Sequence, residues 1–521
     1  MNKVDVKVKK GRIESEPAEV LVLSHQEGEP AFEGDTALVD RALGGWLRDL
    51  LKSKEFQGKL NQSVILHTHG RIPAKRVLLV GLGKKKDLRL DCIRQAMATA
   101  TKHVRQTKAR SFVTPVHGQQ LRETSLLQLG HAMSEGAILG GYRFTEYRSD
   151  DGADEQELQR MTILHTDQAS LEDLERGVLR GQASAEATAY VRDLCNHPSN
   201  IMTPSRLADE ARKIAKERNV RVTVLERREM ERLGMGALLG VARGSHEPPK
   251  FIILEYQGGS KPSRRMPGRN GKGKGTVKPV VLVGKTITFD SGGISLKPAD
   301  NMEQMKADMT GGAEVLATVR AASRLRLPLH LIGILPATEN MPGGSAIKPG
   351  DILKTLSGKT VEVQNTDAEG RLILADGLAY ATRYRPSAIV DVATLTGACA
   401  VALGQFAIGM LGNDDSLKRR IQQAGLKSGE RVWEMPLWEE YFEQLKSDVA
   451  DMRNIGGRGG GMITAGLFLS KFVGDVPWVH LDIASTDWSE RERPYITKGP
   501  TGIGTRLLLQ YLLDTAEQGP R

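Results

Sequence analysis

The sequence is poor in cysteine and has no long apolar run. Its three cysteines lie far apart, without a Cys-x-x-Cys pair, at Cys92, Cys195 and Cys399. We expect reduced core thiols in a cytoplasmic protein, not a disulfide framework. No run of eighteen apolar residues occurs, and residues 1–10 lack the apolar stretch of a secretory leader. The sequence therefore predicts neither export nor a membrane span.

Two common hydrolase motifs are also missing. The nearest approach to His-Glu-x-x-His is His246-Glu-Pro-Pro, whose prolines prevent the helix that the zinc motif needs. Asp290-Ser-Gly-Gly is not the Gly-x-Ser-x-Gly turn that carries a serine nucleophile. Gly81-Leu-Gly-Lys84 lacks the third glycine and the Gly-Lys-Ser/Thr ending of phosphate-binding loops. These absences argue against helical zinc peptidases, serine hydrolases and a nucleotide site at that position.

The length and the hydrophobic pattern indicate two α/β domains. A chain of 521 residues exceeds one ordinary core. Leu171–Leu194 has the apolar periodicity of a long helix, and Pro198 follows where that helix should end. We predict an N-terminal domain at 1–175, a linking helix and turn at 176–200, and a larger domain at 201–521.

Apolar runs and helical spacing predict the main elements of each domain. In the first we expect two helices, at Ala37–Lys52 and Asp91–Arg105. We also expect three buried strands there, at Glu19–Ser24, Ser63–His67 and Arg76–Gly83. In the second we expect a helix from Thr310 to about Arg326 and strands that are covered on both faces, at Phe251–Tyr256, Val280–Gly284, Leu331–Leu335, Ala388–Ala393 and Trp478–Ile483. The fold class is therefore α/β, with a mixed central sheet flanked by helices in the larger domain.

A basic insertion separates two of these strands. Residues 258–279 contain seven basic residues, no acidic residue, six glycines and three prolines. Such a composition cannot bury enough apolar surface to order itself, so we predict a long hairpin loop. The segment is either a solvated insertion or a contact for polyanions such as nucleic acid.

Two acidic stretches each follow a short apolar run. The first is Lys285–Asp308 and the second is Asn365–Leu372; together they contain the carboxylates Asp290, Asp308, Asp367 and Glu369. Two carboxylates about 4 Å apart repel by about 4 kcal/mol at an effective dielectric near 20, so a converged set needs protons or cations. Two divalent ions such as Mg, Mn or Zn would balance four carboxylates, with Lys285 as a neutral amine ligand. The alternative for each acid is a helix cap or a turn.

Both stretches resemble one known family. Asn365-Thr-Asp-Ala-Glu-Gly-Arg-Leu372 is similar to the signature octapeptide of the leucyl aminopeptidase (cytosol aminopeptidase) family, dimetal type, at all eight positions. Lys285–Asp308 resembles the other active-site segment of that family, with its lysines and aspartates in the same spacing. The resemblance covers residues 180–510 closely. It implies a small, macro-like N-terminal domain and a larger catalytic domain.

The resemblance also implies an activity and a set of site residues. It implies a hydrolase that releases N-terminal residues, preferably Leu or Met, by means of a water activated by two metal ions. The ions would be Mn or Zn, with Mg or Co as alternatives, and the implied ligands are Lys285, Asp290, Asp308, Asp367 and Glu369. Lys297 would polarise the carbonyl, and Arg371 would hold a bicarbonate that acts as general base. The implied side-chain pocket consists of Met305, Thr394, Gly397 and Ala484.

Two readings from different classes follow. The first is a cytoplasmic aminopeptidase that assembles, as its relatives do, as a homohexamer of two trimers and acts on peptides. The second is a DNA-binding or architectural protein on the same scaffold, suggested by the net charge of +10 and the basic segment 258–279. The glycine-rich run 456–461 is interpreted, by resemblance, as a loop beside the active site and not as a phosphate loop.

Overall fold

The computed structural model describes residues 4–149, 157–217, 219–258 and 278–518. The chain divides into two compact units, Met1–Ala189 with Glu490–Lys498 and Tyr190–Ser489 with Gly499–Arg521. The division falls inside the long helix Leu171–Asn196. Most of the basic segment, 259–277, lies outside the described residues.

The first unit contains one sheet, whose described strands number six. In chain order they are β1 (Asp5–Lys10), β2 (Leu21–Glu27), β3 (Ser63–His67), β4 (Arg76–Lys84), β5 (Ser111–Pro115) and β6 (Arg160–His165). Their order across the sheet is β1-β6-β5-β2-β4-β3. Neighbouring strands are parallel except for β3, which runs antiparallel to β4 at one edge.

The helices of this unit cover the sheet, and one prediction about them is wrong. They are α1 (Gly34–Ala42), α2 (Trp46–Lys52), α3 (Leu90–Gln106), α4 (Leu126–Gly140) and the first part of α5 (Leu171–Asn196). The single helix predicted at 37–52 is two helices, α1 and α2. Gly44 and Gly45 separate them with φ values of 73° and 91°, which a continuous right-handed helix cannot contain.

The second unit is built on a sheet of nine described strands. In chain order they are β7 (Val220–Leu225), β8 (Lys250–Gln257), β9 (Val280–Gly284), β10 (Thr286–Asp290), β11 (His330–Asn340), β14 (Ala388–Ala393), β15 (Ile408–Gly412), β16 (Val432–Glu434) and β18 (Trp478–Asp482). The order is β16-β15-β18-β14-β9-β11-β8-β7, and β10 also pairs with β11. Strands β18, β14, β9, β11 and β10 are mutually parallel, so their carboxyl ends lie at one edge. The other pairings make the sheet mixed, as predicted.

Short strands and helices complete the second unit. A three-stranded sheet consists of β12 (Ile352–Lys354), β13 (Thr360–Glu362) and β17 (Met452–Arg453), and a small pair consists of β19 (Trp488–Ser489) and β20 (Gly499–Pro500). The helices are α6 (Pro204–Glu217), α7 (Arg227–Leu233), α8 (Gly236–Val241), α9 (Thr310–Arg324), α10 (Gly370–Thr382), α11 (Gly397–Leu403), α12 (Asp415–Ser428), α13 (Gly461–Ser470) and α14 (Thr505–Gln518).

The predicted hairpin across the basic segment is wrong. Strand β11 lies between β8 and β9, antiparallel to β8 and parallel to β9. The two strands that flank the segment are therefore second neighbours. Strands β8 and β9 each form hydrogen bonds with β11. Their backbone N–H and C=O groups are therefore satisfied without a direct pairing between the two strands.

Helix α9 buries the carboxyl group of Glu314. Among the described residues, neither of its side-chain oxygens has a hydrogen-bond partner, and the side chain is fully buried. Burial, together with the nearby Glu430 and Asp487, raises the pKa of Glu314 well above its usual value of 4.5. Because the folded chain binds this proton more tightly than the unfolded chain does, the group lowers the stability of the fold as pH rises above 4.5.

Replacement of this acid is expected to stabilise the protein in a pH-dependent way. Glu314→Gln removes the ionisation, so the free energy of unfolding should rise by about 2 kcal/mol at pH 8 and by much less at pH 5. Urea unfolding of the full chain at both pH values measures this, with Glu440→Gln on the surface as control. An equal effect at pH 5 and pH 8 would contradict the assignment.

Candidate metal and catalytic site

Lys285 lies between β9 and β10, at the edge of the main sheet where the carboxyl ends of the parallel strands lie. Its backbone is held on both sides, because its N–H donates to the Val392 carbonyl at 3.0 Å and its carbonyl accepts from Gly312 at 2.7 Å. The side chain is buried. Its Nζ lies 2.9 Å from Asp308 Oδ1 and 2.8 Å from Glu369 Oε1. One amine thus contacts a carboxylate from each of the two acidic stretches.

Asp290 is the last residue of β10, where the strand departs from regular pairing. The register shifts between Ile287 and Asp290, and Asp290 comes to lie opposite Asn340 of β11. Asp290 Oδ1 accepts from the Gly292 N–H at 2.9 Å and from Asn340 Nδ2 at 2.8 Å. Its Oδ2 lies 2.9 Å from Lys297 Nζ. The carboxylate is therefore fixed in orientation.

Asp308 follows the 3₁₀ helix Met302–Ala307 and precedes α9. Its carbonyl accepts from the Ile287 N–H at 3.3 Å, which ties it to β10. Thr394 Oγ1 donates to Asp308 Oδ1 at 2.6 Å. The other oxygen, Oδ2, is buried and has no hydrogen-bond partner in the part of the chain that the structure describes. A buried carboxylate oxygen without a partner suits a cation.

Asp367 and Glu369 lie in the turn before α10, which follows a strand of the small sheet. The apolar run before them belongs to β13 of the small three-stranded sheet, not to the main sheet. Asn454, after β17, holds this turn: its Nδ2 donates to the Asn365 carbonyl at 2.7 Å, and its Oδ1 accepts from the Gln364 N–H at 2.8 Å. Contacts with a distant segment thus bring the turn to the edge of the main sheet.

The glycine of the octapeptide has a steric role. A Cβ at Gly370 would lie 2.5 Å from Lys285 Cε. Only a glycine lets the Lys285 side chain pass the start of α10 and reach Glu369.

The carboxylates of the two stretches converge. One side-chain oxygen from each of Asp290, Asp367 and Glu369 can be chosen so that all lie within 4.8 Å of one another. Lys297 Nζ contacts Asp290 and Asp367, and Lys285 joins Glu369 to Asp308. All five predicted ligand residues and Lys297 therefore form one cluster.

The electrostatics of the cluster show a shortage of positive charge. Burial raises the pKa of Asp308, Asp367 and Glu369, and repulsion by Asp290 adds to each increase. Burial works in the opposite direction on Lys285 and Lys297, but the surrounding carboxylates outweigh it and raise the pKa of both amines. All of these shifts favour the protonated form of each group, so the cluster attracts positive charge.

Arg371 is the second residue of α10 and is buried beside the cluster. Its Nη1 donates to the Asn454 carbonyl at 2.9 Å, whereas its Nε has no hydrogen-bond partner within the described ranges. Burial lowers the pKa of the guanidinium to about 10, with Glu369 and Asp482 opposing the shift. The group remains cationic and has a donor available.

The residues predicted for the side-chain pocket follow strands of the same sheet edge. Thr394 and Gly397 follow β14, Ala484 follows β18, and these two strands are parallel neighbours. Asp482, at the end of β18, accepts from the Leu395 N–H at 3.1 Å and the Ala484 N–H at 3.2 Å. The two loops are thus joined. Met305 lies in the 3₁₀ helix before Asp308.

Three residues of this arrangement were not found from the sequence: Asn340, Asn454 and Asp482. Asn340 and Asp482 are polar residues that end apolar strands, which is a signal that sequence reasoning could have used. Asn454 follows a two-residue strand and has no local signal, because its partners lie about ninety residues earlier in the chain.

Comparison with known proteins agrees with this geometry. The model of the cytosol aminopeptidase family, catalytic domain, matches residues 189–509, and the model of its N-terminal domain matches residues 9–151. The chain belongs to the cytosol aminopeptidase family. It is therefore a peptide hydrolase of the aminopeptidase type, with the two-domain fold that the octapeptide led us to expect.

Individual members of the family are similar over nearly the whole chain. A probable cytosol aminopeptidase of Geotalea uraniireducens is 48% identical over 475 residues, which cover 91% of this chain and 92% of that protein. A solved variant of tomato leucine aminopeptidase has a TM-score of 0.86 and 32% identity, and the match covers 99% of this chain and 97% of that one. The bottromycin maturation enzyme BotP, solved in complex with Mn, has a TM-score of 0.82 and 34% identity, over 96% and 99%.

Two further expectations concern the cysteines and the absence of a membrane span. All three cysteines are free and buried, as expected for core thiols. Within the described ranges, no helix combines the length and apolar character needed to cross a bilayer.

Proposed function

We propose that this member of the family releases N-terminal residues from peptides with two divalent metal ions. The supporting observation is that five residues from separate segments converge. One oxygen from each of Asp290, Asp367 and Glu369 lies within 4.8 Å of the others, and a buried oxygen of Asp308 has no hydrogen-bond partner among the described residues. The proposed ligands are Lys285, Asp290, Asp308, Asp367 and Glu369. Carboxylate-rich sites suit Mn, Zn or Mg, and the similar enzyme BotP was solved with Mn. Two ions held there would lower the pKa of a water molecule and polarise the scissile carbonyl.

The two ion positions would differ in exposure. Asp290 and Glu369 would serve both ions, as the resemblance to the family implies; Asp290 contacts Lys297, and Glu369 contacts Lys285. Lys285 and Asp308 would complete one position and Asp367 the other. The Asp308 side chain is 8% exposed and that of Asp367 is 31% exposed, so the second position is the more exchangeable. Lys285 must lose its proton to act as a ligand.

Lys297 is placed to act on the substrate carbonyl. Its amine lies between Asp290 and Asp367, which keep it protonated, and its side chain is 23% exposed, so it can reach a bound peptide. A fixed ammonium group stabilises the negative charge that develops on the carbonyl oxygen during attack.

Arg371 is proposed to hold a bicarbonate ion. A buried guanidinium whose Nε is unsatisfied offers the planar set of donors that a planar anion requires. The bound anion would accept the proton of the attacking water as general base.

The pocket of Met305, Thr394, Gly397 and Ala484 predicts a preference for Leu and Met at the N-terminus. These side chains are small or apolar and uncharged, so a charged side chain would lose hydration there. Leucine and methionine p-nitroanilides should be hydrolysed at least about 10-fold faster than the lysine and glutamate compounds. Comparable rates for all four would contradict the assigned pocket.

A second comparison tests the exopeptidase assignment. The acidic cluster favours a substrate end that carries an amine, because of its charge. N-acetyl-leucine p-nitroanilide, which lacks that amine, should not be hydrolysed detectably. Cleavage of the acetylated compound at the rate of the free one would show an endopeptidase.

Further properties stay proposals. We propose a cytoplasmic homohexamer of two trimers, which the sedimentation mass of the purified chain would test. We also retain the domain bounds 1–175, 176–200 and 201–521.

A salt-dependent gel shift that is lost on deletion of residues 260–276 would support the alternative DNA-binding role. No feature of the described residues favours that role.

A further inference from the structure

Asn340 belongs to neither acidic stretch, yet it lies between them. It is the last residue of β11 and is 1% exposed. The register shift in β10 places Asp290 directly opposite it. An asparagine at a strand end is therefore enclosed beside the carboxylate cluster.

The side-chain amide of Asn340 contacts both stretches. Its Nδ2 donates to Asp290 Oδ1 at 2.8 Å and to the Thr366 carbonyl at 3.0 Å, and it lies 3.5 Å from Glu369 Oε2. All three partners are acceptors, so the nitrogen must face them. One amide thus joins Asp290 of the first stretch to the turn that carries Glu369.

The opposite side of the amide is also accommodated. A Cβ at Gly293 would lie 2.8 Å from Asn340 Oδ1, and Gly293 has φ of 68°. Glycine at this position leaves the space that the amide oxygen occupies. An alanine at this position would therefore displace the Asn340 side chain.

The neutrality of the amide distinguishes it from the two lysines. Lys285 and Lys297 also contact the carboxylates, but their positive charges compete with a metal ion for them. An amide N–H orients a carboxylate without supplying a charge that the ion must displace. Asn340 can therefore keep the same contacts before and after an ion binds.

We propose that Asn340 is a positioning residue that aligns Asp290 and Glu369 for metal binding. This inference rests on the proposed two-metal function. Loss of the amide leaves Asp290 without one of its two neutral donors and removes the hydrogen bond that ties the Thr366 carbonyl to β11. Both ions would be affected, since both carboxylates are assigned to both positions.

The test measures metal binding directly. Metal-stripped wild type, Asn340→Ala and Asn340→Leu are titrated with Mn²⁺ by calorimetry, and the thermal midpoint of each is recorded without metal. The control is Asn413→Ala. Asn413 also joins two segments of this unit, since it donates to the Val476 carbonyl at 3.0 Å and accepts from the Trp478 N–H at 2.8 Å. Its side-chain hydrogen bonds to the described residues include no carboxylate.

We expect both Asn340 variants to bind Mn²⁺ about 10- to 100-fold more weakly than wild type, with kcat reduced more than KM changes. The Asn413 variant should lose thermal stability only. Wild-type affinity in either Asn340 variant would overturn the proposal, and unfolding of both without metal would replace it with a purely structural role. Absence of Mn²⁺ binding by wild type would instead refute the proposed function itself.

Discussion

Replacement of Glu369 by glutamine is expected to lower kcat/KM for leucine p-nitroanilide by at least about 10³-fold. Glu369 is 1% exposed and lies between Lys285 and Asn340. Glutamine has the same shape but carries no charge, and its amide nitrogen cannot bind a cation. The substitution therefore removes a shared anionic ligand while leaving the packing of α10 intact. Bound metal should fall in parallel with activity.

The matched control for this substitution is Glu303→Gln. Glu303 is an exposed acid in the 3₁₀ helix that leads to Asp308, and it belongs to no contact of the cluster described here. It should retain wild-type kcat/KM. Wild-type activity in the Glu369 variant, with the fold verified by circular dichroism, would exclude Glu369 from the site.

Lys297→Met is expected to lower kcat about 10²- to 10³-fold while KM changes little. Methionine preserves the apolar part of the side chain but removes the ammonium group that Asp290 and Asp367 hold in place. The negative charge on the carbonyl oxygen develops only in the transition state, so the loss should fall on kcat.

Two further measurements separate this role from a structural one. The variant should still bind metal, because removal of a competing positive charge does not remove a ligand. Lys348→Met changes a lysine whose side chain is 64% exposed and should leave both constants unchanged. An unaltered kcat in Lys297→Met would show that the carbonyl is polarised by other groups.

Much of the sheet could be predicted because its strands are continuous apolar runs. Strands β9, β11, β14 and β18 are buried on both faces. An apolar run such as Val280–Val283 is typical of strands buried in this way. The pairing of these strands is set by long-range contacts instead. The expected β8–β9 hairpin was wrong for this reason: β11, which lies between them, comes later in the sequence.

The carboxylates and lysines of the cluster could be recognised from their chemistry and by resemblance, whereas the residues that support them could not. Carboxylates and lysines at strand ends can be recognised one stretch at a time. Asn454 and Asp482 act on segments more than eighty residues away, and their residue type alone does not distinguish them from surface polar residues. The small sheet that carries the octapeptide was missed because β13 and β17 have only three and two residues.

Metal titration of the stripped protein tests the central claim most directly. The fully stripped chain should not hydrolyse leucine p-nitroanilide, and stepwise addition of Mn²⁺ or Zn²⁺ should restore hydrolysis, with activity complete when about two ions are bound per subunit. Asp367→Ala should bind less metal and stay inactive throughout. Full hydrolysis by protein shown to be metal-free, or full activity in the Asp367 variant, would contradict the two-metal account.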